Sequence, residues 1–239
     1  MCYSINMFNI DPNLYNQYSK EQIDEAVRIL TYKKVDELPK TQKTEGPIMY
    51  VFRHGQSTDN ADFLFSGWRN IDITQDGIEQ ALVLADKLKD IHFDMLFVSD
   101  LIRSKKTMQY AMSKNEYAKN LRLLEDSRIK EKSYGELQGK SKLESYLQDP
   151  EETQRLRRTI DAKAPGGESV LEVCERVKEF CDQIIPVMKR YKLIVAVSCH
   201  GNSMRGFRKY FEGDKFTNQE LALLETPLGQ DFASYYVGD

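Results

Sequence analysis

Residues 50–60 read YVFRHGQSTDN, and the abrupt change inside this stretch decides how the rest of the sequence is interpreted. The apolar run at 48–52 predicts a buried strand, which ends at Arg53, His54 and Gly55. A guanidinium and an imidazole at the end of a buried strand are costly unless that end is a site. The polar end of this strand is therefore the first candidate for chemistry.

From residue 47 onward, short β-rich runs alternate with amphipathic helices. Runs at 95–99 and 193–199 predict two further strands, and apolar residues repeat at helical spacing within 76–90 and 168–191. Such alternation is typical of a parallel sheet covered by helices on both faces. The sequence predicts a three-layer α/β/α fold with a mostly parallel central sheet, occupying residues 47–239.

Residues 1–46 are predicted to form an N-terminal arm that contains one amphipathic helix and a polar linker. Ser19 and Gln22 have the spacing of a capping box. Apolar residues then fall on one helical face, at Ile23, Ala26, Val27 and Leu30. This face can pack on the main domain or on a partner subunit, and the main domain is the simpler expectation.

Composition excludes several classes of partner. The net charge is −3, so no overall basic field attracts nucleic acid or an anionic membrane, and an anionic ligand must be held by local arginines and lysines. No apolar stretch approaches the roughly 20 residues of a membrane helix. The N-terminus lacks the pattern of a signal peptide, and the four cysteines show no CxxC spacing. We expect a cytoplasmic protein whose cysteines are small core residues.

Two of the three histidines follow predicted core strands, and a glycine follows each of them. His54 ends the first strand and His200 ends the run at 193–199, while His92 lies in a loop and is interpreted as structural. The strand at 95–99 is followed by Arg103 at the start of a helix. Because ligands of such sheets bind beyond the carboxyl ends of the strands, we expect these side chains to share one site.

These residue types favour phosphoryl transfer. A neutral imidazole is a competent nucleophile toward phosphorus, and a covalent intermediate divides one difficult transfer into two easier ones. Arginine forks match phosphate oxygens, and helix N-termini supply N–H groups to the same anion. A metal site is disfavoured, because neither histidine has a matching cysteine or carboxylate ligand motif nearby.

Five short motifs together resemble those of the histidine phosphatase superfamily, and within it those of the cofactor-dependent phosphoglycerate mutases. They are RHGQS (53–57), FSGW (65–68), DITQDGIEQA (72–81), YGELQGKSK (134–142) and CHGNSMRG (199–206). The resemblance covers roughly residues 47–239. It implies interconversion of 3- and 2-phosphoglycerate, primed by 2,3-bisphosphoglycerate and independent of metal. The implied partners are small phosphorylated glycerates, and assembly into a homo-oligomer is left open.

The resemblance also implies roles for individual residues. His54 would be the phosphorylated nucleophile, with Arg53, Arg103 and His200 around the transferred group. Glu131 would be the general acid/base, and we expect its pKa to be raised beside a phosphate. Further contacts to the substrate or its phosphoryl group are implied for Asn60, Ser66, Gly67, Tyr134, Lys142, Arg157, Arg158, Gly201 and Asn202.

Three departures from the family pattern bear on the activity. The segment after Asp161 is short where the family has a long proline-rich one, Ser133 stands in place of a histidine, and Asp59 replaces an aromatic residue. Because this segment is short, the alternative hypothesis is a phosphohistidine-dependent phosphatase acting on small phosphorylated metabolites. A third hypothesis, a non-catalytic phosphate-binding module, predicts loss of the nucleophile or the acid, and both are present.

Overall fold

The central sheet comprises five strands within residues 10–31 and 37–238, the part of the chain that the computed structural model describes. They are β1 (Ile48–Arg53), β2 (Met95–Val98), β3 (Leu123–Glu125), β4 (Ile194–Cys199) and β5 (Ala233–Tyr236). Their order across the sheet is β3-β2-β4-β1-β5. β1 to β4 run parallel and β5 lies antiparallel to β1, which confirms the mostly parallel sheet that the sequence predicts.

One helix of the described residues precedes β1, and the others lie in the connections between the strands. The helices are α1 (Lys20–Thr31), α2 (Thr58–Ala61), α3 (Gln75–Leu88), α4 (Ile102–Met112), α5 (Lys142–Gln148), α6 (Pro150–Arg158), α7 (Val170–Tyr191), α8 (Gly201–Glu212) and α9 (Asn218–Leu223). No helix among them combines the length and the apolar character needed to cross a membrane.

The two faces of the sheet carry separate apolar cores. Successive side chains of a strand point to opposite faces, so Met49 and Val51 of β1 pack with α7 and α8. Tyr50 and Phe52 pack on the other face with α3 and α4. Helices therefore cover both faces, and the predicted three-layer architecture is confirmed.

The register of β1 and β4 fixes the position of the candidate site. Arg53, the last residue of β1, lies opposite Cys199, the last residue of β4. His54 and His200 come next in the two chain segments, and the His54 N–H donates to the Cys199 carbonyl at 3.0 Å. The parallel pairing thus brings residues 146 positions apart in sequence to the same edge of the sheet.

Helix α1 packs on the main domain, as expected. Its buried face meets Phe63 and Leu143 next to the pocket described below, and the capping box forms between Ser19 and Gln22. Residues 37–41 then run beside β5, where the Ser234 N–H donates to the Pro39 carbonyl. Residues 1–9 and 32–36 of the predicted arm lie outside the described residues, and the division of the chain at residue 46 stays a prediction.

The three cysteines within the described residues are buried and free, which agrees with their interpretation as core residues. Cys174 and Cys181 lie on the inward face of α7, and Cys199 ends β4. Burial raises the pKa of the Cys174 thiol to about 11, so this group stays protonated at neutral pH.

Candidate active site

His54 and His200 lie side by side at the carboxyl edge of the sheet. Their ring centroids are 5.0 Å apart, and both side chains are buried. Nδ1 of His54 lies 2.6 Å from the Gly55 carbonyl, so Nδ1 carries the proton and donates it there. The lone pair of His54 is then on Nε2, the atom that a nucleophilic imidazole would use. Nε2 of His200 lies 2.7 Å from the Ser99 hydroxyl.

Two buried arginines flank the histidines and are held by backbone carbonyls. Arg103, in the first turn of α4, donates to the carbonyls of Gly67 at 2.7 Å and Arg69 at 2.8 Å. Arg53 donates to the carbonyl of Thr226 at 3.1 Å. These bonds fix both guanidiniums without neutralising them, so the positive charge of each remains for an anionic ligand.

Hydrogen-bond donors without a partner concentrate around these side chains. Among the described residues, nine buried side-chain nitrogen or oxygen atoms have no hydrogen-bond partner. Five of the nine belong to the predicted site, namely Arg53 Nε, Ser66 Oγ, Arg103 Nε, Arg157 Nη1 and His200 Nδ1. Buried polar groups are rarely left unpaired, and a phosphate has enough acceptor oxygens to satisfy several of these donors at once.

Glu131 is buried against the N-terminus of α8. Its carboxylate accepts hydrogen bonds from the backbone N–H of Lys132 at 2.8 Å and of Gly201 at 3.1 Å. Asn202 donates both its backbone N–H, at 3.1 Å, and its side-chain amide, at 2.8 Å. These donors and the positive end of the helix all favour the ionised carboxylate.

The pKa of Glu131 is shifted in the opposite direction from the one expected beside a phosphate. Burial alone raises it, but Arg53, the Lys132 N–H, Asn202 and Arg103 outweigh burial and lower the pKa to about 2. The carboxyl is therefore ionised at neutral pH. An anion that paired with Arg53 and Arg103 would remove part of this stabilisation and raise the pKa again.

Arg176 on α7 anchors the backbone that carries Glu131, a role that no sequence pattern indicated. Its guanidinium donates to the Glu131 carbonyl at 2.9 Å and to the carbonyls of Arg128 and Lys130. Glu168 pairs with the same guanidinium at 3.0 Å. Helical periodicity cannot identify such a residue, because its partners are backbone carbonyls of a distant segment.

One pocket brings the predicted substrate residues together with Arg53 and Glu131. All nine line its wall, namely Asn60, Ser66, Gly67, Tyr134, Lys142, Arg157, Arg158, Gly201 and Asn202. His54, Arg103 and His200 are buried beside Arg53 and do not contribute to that wall. The geometry therefore separates a deep histidine–arginine end from an outer end formed by α6 and Lys142.

Sequence reasoning missed four residues of the pocket wall, Arg205, Leu224, Glu225 and Thr226. Arg205 lies on α8 within the CHGNSMRG motif and donates to the Leu224 carbonyl and to the Asn202 side chain. The motif contained the signal for Arg205. The other three residues lie on the loop after α9, whose position only the tertiary fold determines.

Residues 49–225 match the histidine phosphatase superfamily (branch 1). The chain belongs to this superfamily. A 2,3-bisphosphoglycerate-dependent phosphoglycerate mutase of Chlamydia muridarum is 34% identical over 208 residues, covering 77% of this chain and 91% of that protein. The corresponding protein of Chlamydia trachomatis serovar L2 is 32% identical over 216 residues, covering 80% of this chain and 94% of that protein.

Solved structures agree with the histidine phosphatase fold. A mycobacterial glucosyl-3-phosphoglycerate phosphatase in complex with VO3 superimposes with a TM-score of 0.69 at 19% identity, covering 79% of this chain and 92% of the other. A putative α-ribazole-5′-phosphate phosphatase of Escherichia coli gives a TM-score of 0.64 at 19% identity, covering 78% and 89%. At this identity the likeness shows the fold alone.

A metal ion is geometrically conceivable in this histidine phosphatase site but electrostatically disfavoured. One donor atom each of His54, Glu131 and His200 lies within 4.8 Å of those of the other two. Burial lowers the pKa of both imidazoles, Arg103 and Arg53 lower it further, and the positive charge of these arginines also disfavours a dication. Independence of metal stays a prediction.

We expect the imidazoles of His54 and His200 to stay neutral when the pH is lowered through 6.5, the ordinary pKa of histidine. Burial lowers the pKa of each well below that value, and the neighbouring arginines lower it further. Protonation, and with it loss of the nucleophile, therefore begins only at more acidic pH. Titration of the ring nitrogens by NMR would measure this, and midpoints at or above 6.5 would contradict the expected effect of burial.

Two glycines set the approach of α3 to the loop that carries His54. A Cβ at Gly77 would lie 2.3 Å from the Gln56 carbonyl oxygen, and one at Gly55 would lie equally close to the Gly77 carbonyl oxygen. The Gly77→Ala variant must force two backbones apart, which we expect to cost about 1–3 kcal/mol of unfolding free energy. Chemical denaturation would measure the loss.

Gly213→Ala is the matched control for that substitution. A Cβ at Gly213 meets no heavy atom within 4 Å, and the residue directly follows α8 and makes no part of the pocket wall. We expect this variant to stay within about 0.5 kcal/mol of the parent protein. Equal losses of unfolding free energy in the two variants would show that backbone crowding does not cause the loss in Gly77→Ala.

Proposed function

We propose that this histidine phosphatase superfamily member is a phosphoglycerate mutase that interconverts 3- and 2-phosphoglycerate through phosphorylated His54. The observation that carries the proposal is the deep end of the pocket. There His54, whose lone pair is on Nε2, is buried 5.0 Å from the ring of His200, and Arg53, Arg103 and His200 each have a buried nitrogen without a partner. The curated mutases that the chain resembles support the choice of substrate.

The residues fit 2,3-bisphosphoglycerate as the primer, because the pocket offers cations at both ends. Arg53 and Arg103 lie at the deep end, and Arg157, Arg158 and Lys142 line the outer end. The primer, when bound, supplies the phosphoryl group that first loads His54. Arg53 and Arg103 balance the charge of that group, and His200 completes its surroundings.

In the first half of the cycle, the C2 hydroxyl of 3-phosphoglycerate attacks the phosphorus on Nε2 of His54. The P–N bond breaks, a P–O bond forms, and Glu131 accepts the hydroxyl proton. In the unphosphorylated site the pKa of Glu131 is about 2, so the carboxyl is ionised before His54 is loaded. The arginines hold the transferred group in line with the attacking oxygen.

In the second half, the bound bisphosphate presents its C3 phosphate to Nε2 of His54. The P–O bond to C3 breaks, and Glu131 returns its proton to the departing oxygen, so that 2-phosphoglycerate is released and His54 is phosphorylated again. The outer arginines retain the bisphosphate while it reorients. Exclusion of water during this interval separates a mutase from a phosphatase.

A phosphohistidine-dependent phosphatase of small phosphorylated metabolites is the second candidate. The observation in its favour is the short connection between α6 and α7, residues 159–169, for which the resemblance to the mutases implies a longer segment. A shorter connection here admits water more readily to phosphorylated His54. Water then takes the phosphoryl group, and inorganic phosphate is the product.

The test supplies 3-phosphoglycerate with and without trace 2,3-bisphosphoglycerate and records both 2-phosphoglycerate and free phosphate. We expect rapid formation of 2-phosphoglycerate that requires the primer, with little free phosphate and no effect of a chelator. Free phosphate without isomerisation would identify a phosphatase. Neither product would support the binding module and contradict both enzymatic proposals.

A further inference from the structure

Glu225 places a carboxylate in the wall of a pocket otherwise rich in cations. It lies on the loop between α9 and β5, and its side chain is 12% exposed. One carboxylate oxygen forms an ion pair with Nη1 of Arg158 and lies 4.0 Å from Nη2 of Arg205. An acidic group in this position needs an explanation, because it repels the anions that the pocket attracts.

The outer end of the pocket is crowded with positive charge. Burial and the neighbouring Arg158 lower the pKa of Arg157 to about 10, while Glu225 acts in the opposite direction. Arg205 is likewise buried, and its pKa is lowered first by burial and then by Arg158 against the opposing effect of Glu225. Glu225 is thus the counter-charge of this cluster.

A ligand that extends from His54 to α6 must compete with this counter-charge. Arg158 is already paired with Glu225, so a second anionic group of the ligand either displaces the Glu225 carboxylate or binds next to it. Displacing the carboxylate and binding next to it both make the free energy of ligand binding less favourable. A ligand with a single phosphate held at Arg53 and Arg103 does not reach the ion pair and escapes this cost.

We propose that Glu225 is a specificity-determining residue that weakens binding of ligands with a second anionic group at the outer end, 2,3-bisphosphoglycerate above all. The proposal rests on the proposed function for the identity of that ligand. Its consequence for a mutase is that the bisphosphate intermediate leaves more readily. The enzyme then depends more strongly on added primer.

The test compares Glu225→Gln with the parent protein in a His54→Asn background, which prevents turnover during the measurement. Calorimetry gives the affinities for 2,3-bisphosphoglycerate and for inorganic phosphate at fixed ionic strength. Glu225→Gln keeps the size of the side chain and removes its charge. We expect a roughly tenfold gain in affinity for the bisphosphate and less than about twofold for phosphate.

Glu116→Gln is the matched control. Glu116 lies on the exposed loop after α4, pairs only with Lys119 among the ion pairs of the described residues, and makes no part of the pocket wall. The same change of net charge there is expected to leave both affinities within about twofold. A gain equal to that of Glu225→Gln would mean that overall charge, and not the outer end, governs binding.

Other outcomes overturn the inference directly. Unchanged or weaker binding of 2,3-bisphosphoglycerate in Glu225→Gln would show that Glu225 holds Arg158 in place for the ligand. Equal gains in affinity for the bisphosphate and for phosphate would show that Glu225 does not discriminate against a second anionic group at the outer end. Should the variant melt below the assay temperature, Glu225→Ser and a double-mutant cycle with Arg158→Met provide the same comparison, with coupling expected between the two positions.

The binding result for Glu225→Gln does not depend on whether the proposed function is correct. The binding measurement needs no turnover, so a selective gain for the bisphosphate supports the role of Glu225 even in an enzyme that only hydrolyses phosphate esters. In an active mutase, Glu225→Gln in the native background lowers the primer concentration for half-maximal activity by a similar factor. A gain in binding with no such decrease would contradict the inferred consequence for priming.

Discussion

His54→Ala is expected to reduce turnover by about 10⁴-fold or more, because the substitution removes the atom proposed to carry the phosphoryl group. The loss should be of the same order for mutase and for phosphatase activity, since both require phosphorylated His54. His54 follows β1 directly, and its side-chain hydrogen bond is to the Gly55 carbonyl, not to a charged partner, so the variant should still fold. Initial rates and acid-labile labelling of the protein would measure the effect.

His92→Ala is the control for that variant. His92 is exposed, stacks on Tyr117 with centroids 3.4 Å apart, and makes no part of the pocket wall. We expect His92→Ala to retain full activity and to show the same acid-labile labelling as the parent protein. Appreciable turnover in His54→Ala would contradict the covalent route, and unchanged function in that variant would favour the binding module.

Glu131→Gln is expected to lower turnover of phosphoglycerate by about 10²–10⁴-fold, the usual contribution of a general acid/base. Glutamine keeps the shape of the side chain but neither accepts nor returns the proton. Its NH₂ replaces one of the two carboxylate oxygens and so meets either the N–H of Gly201 or those of Lys132 and Asn202, which requires the side chain to shift. Steady-state rates across about pH 5–9 would measure the loss.

The nature of the leaving group distinguishes proton transfer from simple misfolding. p-Nitrophenyl phosphate releases a stable anion that needs little protonation, so Glu131→Gln should impair its hydrolysis far less than the reaction of phosphoglycerate. Glu136→Gln, on the exposed turn after Tyr134, should leave both reactions unaffected. Equal losses on the two substrates would assign Glu131 a structural role.

The phosphate-dependent pKa of Glu131 links these two predictions. The carboxylate is held ionised by Arg53, by Arg103 and by N–H donors of α8, the groups that also suit a phosphoryl group. If His54 is phosphorylated as proposed, we expect the phosphoryl group to draw the arginines away from Glu131 and to increase its affinity for a proton. The proposed roles thus predict that phosphorylation of His54 and protonation of Glu131 are coupled through these shared arginines.

Much of the fold follows from local pattern. The long helix α7 and the strands β1 and β4 have strong periodicity, and their predicted bounds differ from the structure by a few residues at most. Short helices such as α2, α5 and α6 did not emerge from periodicity, because four to nine residues contain too few turns to define an apolar face.

The sequence by itself determined which residues are chemically equipped for phosphoryl transfer. Polar side chains at the ends of buried strands are costly, so the sequence alone identified His54, Arg53 and His200 as candidates. Motif resemblance added Glu131 and the residues of the outer end. The structure places Arg53, Glu131 and the residues of the outer end in the wall of one pocket, with His54 and His200 buried beside Arg53, while the individual roles stay proposals.

Only the tertiary structure decided how those residues are tuned. The pKa of Glu131 depends on Arg53 and on the start of α8, and Arg176 reaches its backbone from a different helix. Glu225 enters the pocket on a loop with no local signature. Electrostatic effects act through space across groups far apart in the chain, whereas sequence patterns record only neighbours along it.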